Sequence, residues 1–279
     1  MKLNRQDLKK NVKKGFSSIW QDYRQIEELL PAIASARFDG IEPTFINGAI
    51  PSPEYYREQA PELRARTQDL GLEIPSLRGG RAFWQTIPSP DATERAHALE
   101  HTEKAMECLA LMGGQTLLVV PGQLRSDVSY EEHWKRVVDF AHSAGELALQ
   151  YNLTIGLENV EARFPLSQRD WRDLLAEIDH PRVRMYLDIG NILMLGLGFP
   201  QDWINFLQPW IFQLHFKDAT LGQNLRNLLA GEIDWKAVTA ALRHSGYTGW
   251  ICVEPEWYDH APWRLPQRLY RDLEAILEL

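Results

Sequence analysis

Cysteine is scarce in this chain. Two occur in 279 residues, Cys108 in a helical pattern and Cys252 in an apolar run. Two isolated cysteines build neither a disulfide framework nor a thiolate metal site. They are expected to be small buried hydrophobes in a reducing compartment. A basic excess is lacking as well: 30 Lys and Arg stand against 38 Asp and Glu, a net charge of −8, and Lys9–Lys10 with Lys13–Lys14 form only a short basic start. Nucleic acid, whose binding depends on releasing counterions from phosphates, is therefore not an expected partner. Met1 to Val12 has no apolar segment of the secretory kind, and no run reaches the length of a membrane span. The expectation is a cytoplasmic protein without a membrane partner. No GxGxxG follows any apolar run, and Gly79–Gly80 and Gly113–Gly114 lack phosphate-loop spacing, which argues against a dinucleotide site.

What is present is alternation. Short apolar runs and longer amphipathic ones follow each other along the whole chain, the mark of βα units and a parallel sheet. Eight strands are expected, at Gly15–Trp20, Gly40–Thr44, Glu73–Leu77, Thr116–Val120, Thr154–Asn159, Arg184–Asp188, Phe212–Lys217 and Trp250–Glu254. Helices are expected over Asp91–Met112, opened by an Asp cap and closed at Gly113–Gly114, and over Tyr130–Gln150, where Val137, Val138, Phe140, Ala141, Ala144, Leu147 and Ala148 recur near a 3.6 period. Two more run from Asp234 to His244, stopping at Gly246, and from Leu265 to Leu277. Eight units with no linker favour one (β/α)₈ TIM barrel over residues 1–279 rather than an open sheet.

Four late strands end alike, each apolar run stopping at a side chain that can bind a metal. Ile155-Gly-Leu leads to Glu158, Met185-Tyr-Leu to Asp188, Phe212-Gln-Leu to His215 and Ile251-Cys-Val to Glu254. The intervals of 30, 27 and 39 residues each equal about one βα unit. In a barrel these side chains would meet at the carboxyl ends of strands 5 to 8, the face on which barrel active sites are built. Three carboxylates at one point repel unless a cation joins them. Three oxygens and an imidazole nitrogen suit one divalent metal, with Mn²⁺ preferred and Mg²⁺, Co²⁺ or Zn²⁺ compatible. A single Glu or His at a strand end is more often a rim ion-pair or hydrogen-bonding residue; four in succession at βα spacing favour the metal.

The segments Gly156-Leu-Glu-Asn159, Leu187-Asp-Ile-Gly-Asn191, Leu214-His-Phe-Lys-Asp218 and Val253-Glu-Pro-Glu256 resemble the xylose isomerase-like TIM barrel superfamily of sugar isomerases and epimerases, which also contains endonuclease IV. Gly231-Glu-Ile-Asp-Trp235 through Gly246-Tyr-Thr-Gly249 resembles its strand 7 to strand 8 connection, and Gly40-Ile-Glu42 its strand 2 end. The resemblance implies that Glu158, Asp188, His215 and Glu254 ligate the metal and that Glu158 and Glu254 are the catalytic acid/base pair. Many members carry His where this chain has Asn191, a residue able to hydrogen-bond a hydroxyl but not to carry charge. The DNA-repair branch needs further histidines, and this chain has Arg78, Pro121, Asn191 and Gly231-Glu-Ile-Asp234 where they would stand. A nuclease is thereby disfavoured. Similar barrels are commonly dimers or tetramers, so a homo-oligomer is compatible.

The implied reaction acts on a small sugar, ketose, polyol or sugar phosphate. A metal-bound carbonyl and its neighbouring hydroxyl acidify the intervening C–H, one glutamate removes the proton to give an enediolate, and the fate of that species decides between epimerisation and isomerisation. Loss of a β-hydroxyl would make the protein a dehydratase of an inosose- or dehydroshikimate-like substrate. A non-catalytic sugar-binding barrel is the alternative of another class, and it has no need of two opposed glutamates. Expected substrate contacts are Asn191, Lys217, Glu256, Glu42, Arg78 and Trp20. Lys217 lies two residues after His215 and would share its side of the strand; a salt bridge to Asp218 or to a neighbouring strand end is the equal alternative. Glu42 and Arg78 are weaker candidates, each more readily a member of a structural ion pair. Trp20, Trp84, Trp257 and Trp263 fall at or after strand ends and would suit an aromatic sugar pocket.

Overall fold

The computed structural model describes residues 8–18, 23–44, 53–80, 83–162, 164–256 and 262–279. Eight parallel strands form one sheet: β1 Lys13–Ser17, β2 Gly40–Glu42, β3 Ser76–Arg78, β4 Thr116–Val119, β5 Thr154–Glu158, β6 Val183–Asp188, β7 Ile211–Phe216 and, after the small antiparallel pair β8 Asp218–Ala219 and β9 Leu225–Arg226, β10 Trp250–Val253. The order is β2-β1-β10-β7-β6-β5-β4-β3. Parallel bridges from Gly40 to Glu73 and from Thr44 to Arg78 join the two ends, so the architecture is a (β/α)₈ barrel.

Prolines explain where the regular strands stop short of the expected runs. Pro43 follows β2 and Pro75 precedes β3; each lacks the N–H that a ladder residue donates. Their carbonyls still accept, from Arg78 N and Thr116 N respectively. The first strand also begins and ends earlier than expected, at Lys13 and Ser17.

The helices α1 Leu8–Asn11, α2 Tyr23–Ser35, α3 Pro53–Asp69, α4 Phe83–Thr86, α5 Ala92–Met112, α6 Tyr130–Tyr151, α7 Gln168–Ile178, α8 Ile189–Met194, α9 Pro200–Leu207, α10 Trp235–Ser245 and α11 Leu265–Glu278 surround the sheet. Their ends follow local chemistry. Asp91 caps α5 by accepting from Thr93 N, and Asp234 caps α10 by accepting from Ala237 N. Ser129 with Glu132 and Ser167 with Asp170 form capping boxes on α6 and α7. Gly113 and Gly246 close α5 and α10 in the left-handed region, where a side chain would be strained. Among the described residues no helix is long and apolar enough to cross a membrane.

Strand alternation divides the core in two. Phe16, Ile41, Leu77, Leu117, Val119, Ile155, Leu157, Met185, Leu187, Leu214, Phe216, Ile251 and Val253 belong to the buried apolar layer shared with the helices. Burying each large one is worth about 1.5–3 kcal/mol. The alternate residues Ser17, Glu42, Ser76, Tyr186, Gln213, His215 and Glu158 meet one another through hydrogen bonds in the barrel interior. These strands therefore carry polar side chains on the face turned away from the helices. Cys252 shares that lining, and Gly15 opposite it leaves the room: a Cβ there would lie 2.5 Å from the Cys252 sulfur.

Candidate metal centre

The convergence of Glu158, Asp188, His215 and Glu254 follows from strand register. Asp188 on β6 pairs directly with His215 on β7, after a register shift between Met185 and Tyr186. Glu158 pairs with Tyr186, two residues below Asp188, and His215 pairs with Cys252, two residues below Glu254. Steps of two preserve the side on which a side chain points, and they accompany the stagger of a barrel. All four side chains therefore face inward at the carboxyl ends of their strands. One ligand atom from each lies within 4.8 Å of all the others. His215 Nδ1 is 2.7 Å from Glu158 Oε1, 3.3 Å from Glu254 Oε2 and 3.7 Å from Asp188 Oδ2. All four residues are buried.

Two cations attend the cluster. Lys217, on the residue after β7, places Nζ 3.0 Å from both Asp188 Oδ2 and Glu254 Oε2. Of the two salt-bridge partners expected for Lys217, the structure selects the neighbouring strand ends. Asp218 turns away and accepts instead from Ala219 N, Ile233 N and Trp235 Nε1. Arg78 Nη1 lies 3.3 Å from Glu254 Oε1 and 3.4 Å from Ser17 Oγ.

Electrostatics follow from this crowding. Burial opposes charge on His215, but Glu42 and Glu158 on either side of the ring outweigh it and raise the imidazole to about 10. Burial pushes the Asp188 carboxyl up, and Glu254 and Glu158 add to this against the pull of Lys217. Burial would raise Glu254 too, but Lys217, Arg78 and His215 hold it well below the usual carboxylate range.

Glu42 ends β2. It is fully buried; its oxygens accept from Ser17 Oγ, Ser76 Oγ and Tyr186 Oη, and Oε1 lies 2.7 Å from His215 Nε2. Asn191, in α8, donates from Nδ2 to Asn159 O, and its N–H donates to Asp188 Oδ1; its own Oδ1 is buried with no hydrogen-bond partner among the described residues. Glu256 follows β10, with its N–H donated to Asn227 Oδ1 and its carbonyl accepting from Asn227 Nδ2. Trp20 and Trp257 lie outside the described residues. Trp84 falls in α4, and Trp263 is largely exposed. Sequence reasoning passed over Asn159, which holds the Asp188 backbone, and Ser17, Ser76, Tyr186 and Gln213, which surround Glu42. The available signal was polarity at alternate positions of otherwise apolar strands.

The donor set fits one divalent cation. Asp188 Oδ2 is buried and, among the described residues, receives no aligned hydrogen bond despite its closeness to Lys217. Three buried carboxylates around one imidazole nitrogen form an arrangement that a cation neutralises.

Fold and site together define a TIM barrel with a buried carboxylate–histidine cluster, competent to hold a metal, at the carboxyl ends of its strands. A model of the xylose isomerase-like TIM barrel family matches residues 30–278, and the chain belongs to that family. An inosose dehydratase of Bacillus licheniformis is 23% identical over 261 residues, covering 83% of this chain and 81% of the relative. A 2-epi-5-epi-valiolone 7-phosphate 2-epimerase of Actinoplanes is 28% identical over 189 residues, covering 67% of this chain and 66% of its own length. Among solved structures, 3-keto-D-glucoside 4-epimerase from E. coli is similar with a TM-score of 0.76 at 19% identity, over 96% of this chain and 100% of that one.

Proposed function

We propose that the chain is a divalent-metal-dependent isomerase or epimerase of a small sugar, ketose or sugar phosphate, with Mn²⁺ as the metal. The observation that carries this reading is the pair Glu158 and Glu254. They come from β5 and β10, separated in the sheet by β6 and β7, and flank the same His215 nitrogen at 2.7 and 3.3 Å. Carboxylates brought to one point from two sides suit removing a proton from one face of a carbon and returning one to the other.

When bound on Glu158, Asp188, His215 and Glu254, the metal would supply Lewis-acid polarisation of a carbonyl and its neighbouring hydroxyl. The chain's own residues do the rest. One glutamate takes the proton beside the carbonyl, and the other returns a proton. Lys217, with its ammonium held at Asp188 and Glu254, steadies negative charge as it develops on oxygen. Arg78 keeps Glu254 ionised and aimed. Asn191 Oδ1, buried without a partner among the described residues, would accept from a substrate hydroxyl.

A dehydratase is the second reading, supported by the similarity to inosose dehydratase over most of the chain. The first proton abstraction is common to both, and the reactions part at the loss of a β-hydroxyl. Incubation of candidate ketoses, ketose phosphates and inososes with protein and Mn²⁺ in D₂O separates them. Deuterium at carbon with an epimeric or isomeric product is the expected result. Water loss without such a product selects the dehydratase. No exchange across the panel would refute both enzymatic readings and leave a sugar-binding barrel.

A further inference from the structure

We propose that Glu42 is a positioning residue that sets the tautomer of His215, so that Nδ1 is the nitrogen presented to the metal. The proposal rests on the metal-dependent reading above and concerns a residue buried beneath the cluster.

The geometry is specific. Glu42 stands on β2, three strands from β7 around the barrel, and reaches across the interior to place Oε1 2.7 Å from His215 Nε2. The same oxygen, Oε1, accepts from Ser17 Oγ at 2.7 Å. The other, Oε2, accepts from Tyr186 Oη at 2.7 Å and from Ser76 Oγ. Gln213 Nε2 donates to both of those hydroxyl oxygens, at 2.7 Å to Ser76 and 3.0 Å to Tyr186. Their protons are therefore directed at Glu42. Three hydroxyl donors and the imidazole converge on a group that, when ionised, can only accept.

The consequence for His215 is chemical. A neutral imidazole carries one N–H and one lone pair. Beside an acceptor-only carboxylate, the proton belongs on Nε2. The lone pair then lies on Nδ1, which faces Glu158, Glu254 and Asp188. Side chains from β1, β3, β6 and β7 fix the carboxylate, and it in turn fixes the ring plane. Carboxylates that accept from the remote nitrogen of a ligating histidine orient the ring and increase its basicity.

The test uses the full chain. Co²⁺ is titrated into wild type and Glu42→Gln in competition with a chelating dye, and the visible spectrum of bound Co²⁺ is recorded. The expected result is binding about ten- to a hundredfold weaker in E42Q, with shifted ligand-field bands. A folded E42Q with wild-type affinity and spectrum overturns the proposal, because a purely structural role would change thermal stability and leave both readouts alone. Should E42Q fail to fold, wild type decides. A long-range ¹H–¹⁵N spectrum of histidine-labelled, Zn²⁺-loaded protein is expected to show His215 with its proton on Nε2, assigned by loss of the signal in His215→Gln. A proton on Nδ1 overturns the proposal. Absence of any Co²⁺ or Zn²⁺ binding by wild type defeats the proposed function and this inference together, whereas tight wild-type binding with an indifferent E42Q defeats this inference alone.

Discussion

Asn159 holds the backbone of Asp188 by two hydrogen bonds: its Nδ2 donates to the Asp188 carbonyl at 2.9 Å, and the Asp188 N–H donates to its Oδ1 at 2.8 Å. The side chain thus supplies both donor and acceptor to the Asp188 backbone, where β6 gives way to α8. Asn191 Nδ2 ties back to the Asn159 carbonyl at 2.8 Å. Asn159→Ala removes the side-chain acceptor of the buried Asp188 N–H, at about 1–3 kcal/mol. The expected outcome is a lower denaturant midpoint together with weaker Mn²⁺ binding. If only the midpoint moves, Asn159 supports the fold but not the ligand it grips.

Glu158→Gln and Glu254→Gln keep shape and remove the charge. With an acid/base role, each lowers turnover by roughly 10²-fold or more. Single-turnover measurements at saturating Mn²⁺ separate this loss from weaker metal binding. Near-normal turnover in both variants would remove them from the proton-transfer steps.

Lys217 bridges two carboxylates that are otherwise crowded together. Lys217→Met strips the cation from a buried pair, a change that typically costs about 3–5 kcal/mol. A divalent metal on the same carboxylates offsets much of that loss. The variant is therefore expected to melt well below wild type in chelator and to recover most of the difference in saturating Mn²⁺. Equal deficits in both conditions would show that Lys217 and the metal do not share those charges.

Without metal, stability is expected to depend on pH in an identifiable window. The His215 imidazole is raised from 6.5 to about 10 in the fold. Between these values the native state holds a proton that the unfolded chain has released, so stability is full below about 6.5 and declines as pH rises towards about 10. Asp188, also raised, acts with the same sign at lower pH. Glu42, lowered to about 2 by His215 and its other donors against the effect of burial, acts oppositely and only in acid. Thermal midpoints of chelator-treated protein across this range test the slope, which His215→Gln should flatten.

The barrel was legible in the sequence because each βα unit carries its own local signals. Gly113 and Gly246 mark helix ends, Asp91 and Asp234 mark starts, and apolar strand stretches lie between them. Strand limits were less legible near Pro43 and Pro75, where the apolar character of a run outlasts its ability to donate to a ladder. The grouping of Glu158, Asp188, His215 and Glu254 could be read for the same local reason: each stands at the end of an apolar strand, and parallel strands in a barrel bring such ends to one face.

What spacing along the chain does not carry is depth inside the barrel. Glu42 and Glu254 both close a short apolar run, yet Glu42 lies beneath His215 while Glu254 lies beside it. The difference comes from the tilt and stagger of strands in a closed barrel: Glu42 pairs with Ser17 on β1, three strands round from His215. Closure likewise chose Asp188 and Glu254 over Asp218 as the partners of Lys217. The sequence alone thus determined which elements form and which side chains reach the carboxyl face, because hydrophobic period and capping act over a few residues. Tertiary structure decided which carboxylate meets the imidazole from below and which faces its other nitrogen, because those distances run across the barrel between strands remote in sequence.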